Sequence, residues 1–128
     1  HNTEFEIRSN LDAVSHATCA MAIDLGAKCI VVSSMSGRTA RMVSRFRCPA
    51  DIVGMTTTER AWRKLALSWG VTPVLSEEFN SIDVMFYHAL HQAKQVCHLQ
   101  AGDNVVLTGG QINGLPGNTN TIKVETIR

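Results

Sequence analysis

The chain has 128 residues, of which 45% are hydrophobic, and its 12 basic and 11 acidic residues leave a formal net charge of +1. This length suits one folded domain, over residues 1–128, with a sizeable buried core. The near-neutral charge gives no general attraction to nucleic acid or to an anionic membrane, and no apolar run approaches the roughly 18 residues of a membrane-spanning helix. Any partner must therefore be recognised by a local site.

The cysteines and the first residues indicate the cellular setting. Cys19, Cys29, Cys48 and Cys97 are widely spaced and form no Cys-x-x-Cys pair. This argues against zinc and redox chemistry, so we interpret them as reduced packing residues of a cytoplasmic protein. Residues 1–9 are polar, lack the pattern of a secretory leader and begin on His1, so we interpret them as a linker or as the remnant of a cut or a tag.

Helical and extended patterns alternate along the chain, which is typical of an α/β fold. A first helix has Asn10 or Asp12 as its predicted N-cap and ends at Gly26, which we expect to be left-handed. Its predicted apolar stripe consists of Val14, Ala17, Met21 and Leu25. A strand over residues 29–32 follows, and a short helix then reaches about Phe46.

The middle of the chain predicts a strand over 52–55, a helix and an edge strand. The run Thr56-Thr57-Thr58-Glu59 has capping-box spacing. The helix that follows should end before Gly70 and bury a stripe made of Trp62, Leu65, Ala66 and Trp69. Pro73 cannot donate to a ladder, so the strand over 71–75 belongs at a sheet edge.

The last third predicts a long helix over 82–98 and two strands, over 104–108 and 119–126. The helix should turn inward Phe86, Ala89, Leu90, Ala93 and Cys97. Between the two strands lies the loop 109–117, with four glycines and Pro116. With an edge at 71–75, we predict the strand order 3-2-1-4-5, which places the loops after the first and fourth strands face to face, where such sheets bind ligands.

The run Ser33-Ser34-Met35-Ser36-Gly37-Arg38-Thr39 leads from the first strand into a helix. Unpaired backbone N–H groups and the positive end of the helix dipole favour an anion there. Hydroxyls add donors, Gly37 allows close approach and Arg38 offers a planar fork. A phosphate site is one interpretation, and a simple helix cap, in which Ser36 accepts from the N–H of Thr39, is the other.

Three further groups of residues suggest a function but have simpler interpretations. Arg38, Arg41 and Arg45 share one helix face, but aromatic residues make up only 5% of the chain, so a solvated or domain-contacting surface is favoured over nucleic-acid binding. The histidines His88, His91 and His98 lack the further ligands that zinc needs, so no metal site is predicted. A hydrolase grouping of Ser34, Ser36 and His16 lacks a nucleophile elbow and an orienting acid.

Four segments resemble the C-terminal domain of pyruvate kinase. They are SGRTARMVSRFR (36–47), WGVTPV (69–74), GDNVVLTG (102–109) and NTNTIKV (118–124), within a similarity that runs from about residue 10 to 126. The resemblance implies a three-layer α/β/α domain with a mixed five-stranded sheet whose last strand is antiparallel. It also implies that catalysis, with Mg²⁺ and K⁺, takes place in a separate barrel domain, so that no catalytic residue, metal or cofactor is expected in this chain.

The same resemblance implies a regulatory and assembly role. The effector phosphate would be held by Ser34, Met35 through its amide, Ser36, Gly37, Arg38 and Thr39. The loop 109–117, with Gly110, Asn113, Gly114 and Gly117, would close over the effector, and the strand 119–126 would join subunits of a tetramer.

One segment departs from the resembled family. Members that bind a sugar bisphosphate place a cation before the long helix, whereas residues 77–83 here read EEFNSID. A monophosphate such as glucose 6-phosphate, ribose 5-phosphate or AMP is therefore favoured. Two function classes stay open: the regulatory domain of a complete pyruvate kinase, and a free-standing, non-catalytic paralogue that binds a phosphorylated metabolite.

Overall fold

The computed structural model describes residues 10–34, 36–109 and 121–128. The described strands are β1 (Cys29–Ser33), β2 (Asp51–Thr56), β3 (Val71–Leu75), β4 (Asn104–Gly109) and β5 (Thr121–Thr126). The described helices are α1 (Asn10–Leu25), α2 (Arg38–Arg45), α3 (Glu59–Leu65) and α4 (Ile82–Val96). Each predicted element is thus present, with ends that shift by a few residues; positions 119 and 120 of the predicted last strand lie outside the described residues.

The five strands form one sheet in the order β3-β2-β1-β4-β5. The strands β1 to β4 are parallel, and β5 pairs antiparallel to β4. Pro73 lies in the edge strand β3, as its missing N–H predicts. The predicted strand order and the antiparallel last strand are both confirmed, and β1 occupies the centre of the sheet.

Two hydrophobic layers cover the two faces of the sheet, because successive side chains of a strand point to opposite sides. Ile30 and Val32 of β1 pack with residues of α1, α2 and α3, whereas Cys29 and Val31 pack against α4. The chain winds outward from β1 to β3 and then returns to β4, so right-handed crossovers place α2 and α3 on one face and α4 on the other. The predicted three-layer α/β/α architecture is confirmed.

The helix α1 buries a different face from the predicted one. Its buried residues are Ser15, Thr18, Cys19 and Ala22, whereas Leu25 is 43% exposed. Small side chains let the helix lie close to the sheet, and the Thr18 hydroxyl is satisfied by donating to the carbonyl of Val14 at 2.7 Å. The predicted cap at Asn10 or Asp12 is also wrong, since both residues lie within the helix. Gly26 is left-handed as predicted, with φ +59°.

The helix α3 is shorter than predicted, and both tryptophans of the predicted helix, Trp62 and Trp69, are on the surface. It ends at Leu65, and Trp62 and Trp69 are 39% and 53% exposed. The predicted capping box is wrong as well: Thr58 is the N-cap, and its hydroxyl accepts from the N–H of Ala61 at 3.2 Å. A helix of two turns buries little, and here the buried residues are Ala61 and Leu65.

The helix α4 turns the predicted residues inward and ends at Val96, with Cys97 as its C-cap. All four cysteines are buried and outside disulfides, as predicted. In the part of the chain that the structure describes, no helix is both long enough and apolar enough to span a bilayer.

Candidate functional site

The predicted phosphate loop begins at the carboxyl end of the central strand. Beyond Ser33, the N–H of Ser34 donates to the carbonyl of Met55 at 3.0 Å, so the chain leaves the sheet at a fixed point. The end of β4 lies beside it, because a Cβ added to Gly109 would come within 3.1 Å of the Ser33 carbonyl oxygen. The exits of β1 and β4 therefore adjoin, as the winding reversal predicts.

Some of the predicted site residues lie outside the described residues. These are Met35 and the loop residues Gly110, Asn113, Gly114 and Gly117. Their assignment stays a prediction.

Two serine hydroxyls shape the turn into α2. The Ser34 hydroxyl accepts from the N–H of Gly37 at 3.1 Å, and that of Ser36 accepts from the N–H of Arg38 at 3.3 Å. The N-cap of α2 is Gly37, whose φ is +74° and which offers no side chain to the helix end. The described contact of Ser36 thus differs from the alternative that it caps the helix through Thr39. Each hydroxyl keeps its own proton to donate to a ligand.

Leu65 of α3 supports this turn from below. A Cβ at Gly37 would lie 3.1 Å from Cγ of Leu65, and one at Gly54 of β2 would lie 2.8 Å from its Cδ1. Leu65 is fully buried. Glycine is needed at position 37 for its positive φ, and the contact at position 54 leaves no room for a larger residue without displacing Leu65. The phosphate loop is therefore seated on α3 rather than held by its own bonds alone.

The remaining predicted residues differ in exposure. Arg38 is exposed and begins α2, whereas Thr39 is buried, with 1% of its surface exposed. The first-turn N–H groups of α2 lie at the positive end of its dipole. The arrangement offers an anion a guanidinium, two hydroxyl protons and a helix end in one place.

Cationic side chains extend the site over the surface of α2. A cavity of about 480 Å³ is lined by Arg38, Arg41, Met42, Ser44, Arg45, Arg47, Ser68 and Trp69. The guanidinium of Arg47 lies 4.7 Å from the centre of the Trp69 ring, and the Ser44 hydroxyl donates to the Trp69 carbonyl at 2.5 Å. The three arginines predicted on one face of α2 do line this one cavity.

Sequence reasoning missed a second cavity, of about 330 Å³, between α2 and α3. Arg60 and Lys64 of α3 line it together with Arg38 and Arg41 of α2. Arg60 and Lys64 are four residues apart, which puts both on one face of α3. Right-handed crossovers place α2 and α3 on the same side of the sheet. This rule could have predicted from the sequence that Arg60 and Lys64 lie near α2.

The other groupings are not brought together. The ring of His16 contacts Phe46 at 5.6 Å, beyond the far end of α2, about 12 Å of helix away from the serine loop. His88 lies between the rings of Phe79 and Tyr87, at 5.0 and 5.5 Å. Over residues 10–34, 36–109 and 121–128, no three His, Cys, Asp or Glu side chains are placed to hold a metal ion.

The family model described as pyruvate kinase, alpha/beta domain, matches residues 12–125. The chain belongs to this family. It is 37% identical over 122 residues to a pyruvate kinase of Clostridium acetobutylicum. The aligned region covers 95% of this chain and 26% of that protein. It is 35% identical over 124 residues to a pyruvate kinase of Lactobacillus delbrueckii subsp. bulgaricus, or 97% of this chain and 21% of that protein.

A third relative extends the same pattern. The chain is 32% identical over 119 residues to a pyruvate kinase of Staphylococcus epidermidis, which amounts to 93% of this chain and 20% of that protein. The resemblance seen in the sequence segments is confirmed. The chain spans about a quarter or less of the length of these relatives.

Proposed function

We propose that this chain is the regulatory and assembly domain of a cytoplasmic pyruvate kinase, the enzyme that converts phosphoenolpyruvate and ADP to pyruvate and ATP. In this proposal the chain catalyses nothing by itself and binds the phosphate of a small effector. Membership of the pyruvate kinase alpha/beta domain family supports the assignment to that enzyme. The partner of the domain is then the catalytic barrel domain.

The observation that carries the effector role is the geometry of residues 34–39. The turn presents Ser34 and Ser36 hydroxyls, the left-handed Gly37 and the exposed Arg38 at the start of α2. Charge-assisted hydrogen bonds to an anion are shorter and about twice as strong as neutral ones. A phosphate ester matches the hydroxyls and the guanidinium, because its oxygens can accept from both kinds of donor at once.

The segment before α4 favours an effector with a single phosphate. Glu77, Glu78 and Asp83 are exposed there, and no lysine or arginine stands between them. A second phosphate on that side would meet negative charge. Glucose 6-phosphate, ribose 5-phosphate and AMP are therefore the effectors to test.

The edge strand β5 supports the assembly role. It pairs with β4 on one side, and no described strand pairs with its other side. An open edge is a template for pairing with a second chain. We propose that two copies pair along 119–126 about a two-fold axis, as one contact of a tetramer.

The effector role is tested by calorimetric titration of the 128-residue chain with glucose 6-phosphate, ribose 5-phosphate and AMP. We expect saturable binding of at least one of them, weakened at least tenfold in Arg38→Gln, since a charged hydrogen bond contributes about 1.5–3 kcal/mol. Arg63→Gln is the matched control: it removes the same charge from an exposed arginine that pairs with Glu59 at 2.6 Å, outside the loop. Equal affinity in Arg38→Gln and the parent chain, or no saturable binding of any of the three, would contradict the proposal.

A further inference from the structure

Both α2 and α3 contribute cationic residues to the lining of the cavity between them. Its lining consists of Ser36, Arg38, Arg41, Thr58, Arg60, Ala61 and Lys64. Four of these seven residues carry a positive charge and none carries a negative one. At about 330 Å³ the cavity falls in the size range of small-metabolite sites.

The cationic residues that line this cavity are not ion-paired within the described part of the chain. The nearby acid of α3, Glu59, is engaged with Arg63 at 2.6 Å. Among the described residues, Arg41, Arg60 and Lys64 form no ion pair. Like charges gathered around one concave surface raise its potential, and an anion that enters lowers their mutual repulsion.

The cavity adjoins the phosphate loop. Ser36 and Arg38 belong to the loop and also line the cavity. A ligand whose phosphate rests on the loop therefore has its next few atoms at the mouth of the cavity. The acidic segment before α4 lies elsewhere: Phe79 and Ile82 pack on the α4 face of the sheet, whereas Leu65 of α3 packs on the opposite face.

We propose that the effector carries a second anionic group, a carboxylate or a further phosphate, and that Arg41, Arg60 and Lys64 bind it in this cavity. The inference rests on the proposed effector site and adds the chemical class of its ligand. Arg41 and Arg60 supply planar forks for a carboxylate or phosphate, and Lys64 supplies a compact charge. A sugar acid that carries one phosphate satisfies both this cavity and the preference for a single phosphate.

The test compares two ligands that differ mainly in one carboxylate. Calorimetry at fixed ionic strength measures the affinity of the 128-residue chain for glucose 6-phosphate and for 6-phosphogluconate, with glucose 1,6-bisphosphate as the arm for a second phosphate. We expect 6-phosphogluconate, the bisphosphate or both to bind at least tenfold more tightly than glucose 6-phosphate. Which of them does so identifies the second group.

A double variant, Arg60→Gln/Lys64→Met, tests whether the cavity causes the tighter binding of the ligands with a second anionic group. We expect it to bind glucose 6-phosphate within about twofold of the parent chain and to lose the tenfold preference for the second anion. Both residues are exposed, and circular dichroism checks that the fold is kept. The control Lys28→Met/Lys94→Met removes two positive charges from exposed residues away from the cavity and should keep the preference.

The outcomes separate the two proposals. If glucose 6-phosphate binds and neither dianionic ligand binds more tightly, the second subsite is wrong and the phosphate loop stands. A preference that survives Arg60→Gln/Lys64→Met also overturns the subsite. If none of these three ligands binds, the second subsite is wrong, and the titrations with ribose 5-phosphate and AMP decide whether the phosphate loop stands.

Discussion

At the scale of single residues, the thiols of Cys19 and Cys29 resist ionisation, because their pKa values are raised. Cys19 of α1 is buried, and the thiol of Cys48 approaches its carbonyl oxygen at 3.9 Å. Burial, with the hydrogen bond and the charge of Cys48 as lesser causes, raises the pKa of Cys19 from 9.0 to about 12. On the other face of the sheet, the thiols of Cys97 and Cys29 lie 2.9 Å apart, and this hydrogen bond, followed by burial, raises the pKa of Cys29. These thiols act as packing groups.

The raised pKa of Cys19 predicts a loss of stability in alkali. The folded chain keeps this proton at a pH where the unfolded chain has released it, so the contribution is complete below about pH 9 and is lost as the pH rises toward 12. Urea unfolding should show a fall in the free energy of unfolding of up to about 1.4 kcal/mol per pH unit from this thiol. In Cys19→Ala the fall between pH 9 and pH 11 should be shallower, and identical slopes in the two chains would contradict the assignment.

At the scale of elements, β5 has one face on the core and one edge that pairs with no described strand. Ile122 packs against the cluster beneath α1, whereas Val124, on the same face, is 36% exposed. Lys123 and Glu125 form an ion pair at 3.0 Å on the opposite face. Ile122 is therefore unsuitable for testing assembly, since changing it disturbs the core.

A charge at Val124 tests whether β5 pairs with its copy. In a two-fold pair the substitution Val124→Lys adds a positive charge from each copy to the joined edge, which already carries Lys123, and this disfavours pairing. Sedimentation velocity at high protein concentration should show a dimer for the parent chain and for the neutral control Val124→Thr, and a monomer for Val124→Lys. A parent chain that sediments as a monomer throughout, or a dimer that persists in Val124→Lys, would rule out this edge as the interface.

The elements differ in how far the sequence could predict them. Pro73 and the long apolar strands decide the strand order, because a missing N–H and full burial leave few positions in a sheet. The buried face of α1 could not be read in this way, since Ser15 and Thr18 are polar residues whose small size, rather than hydropathy, suits close packing. The tryptophans misled the prediction of α3 because a helix of two turns buries little more than Leu65.

The sequence predicts the loop of the candidate site but does not predict the residues that α3 adds to it. Hydroxyls, Gly37 and a helix start are local features of the sequence. Arg41, Arg60 and Lys64 line one cavity because α2 and α3, which a strand separates in the sequence, pack side by side. The support of the loop by Leu65 depends on Gly54, whose importance appears only when the strand and helix are in contact.

At the scale of the whole molecule, the proposed effector loop and the proposed assembly edge belong to one sheet. The loop lies at the carboxyl end of β1, in the middle of the sheet, and the edge lies two strands away at β5. The chain spans about a quarter or less of the length of its pyruvate kinase relatives. The central claim is that a phosphorylated effector binds at residues 34–39.

Amide chemical shifts test that claim most directly. In a ¹⁵N–¹H correlation spectrum of the 128-residue chain titrated with glucose 6-phosphate, the amides of Ser36, Gly37, Arg38 and Thr39 should shift together and reach saturation, while those of β3 and α4 stay in place. Unphosphorylated glucose at the same concentrations should move none of them. If none of glucose 6-phosphate, ribose 5-phosphate and AMP, titrated in turn, moves the amides of residues 36–39, or if their saturable shifts lie on another part of the chain, the effector site is not at this loop.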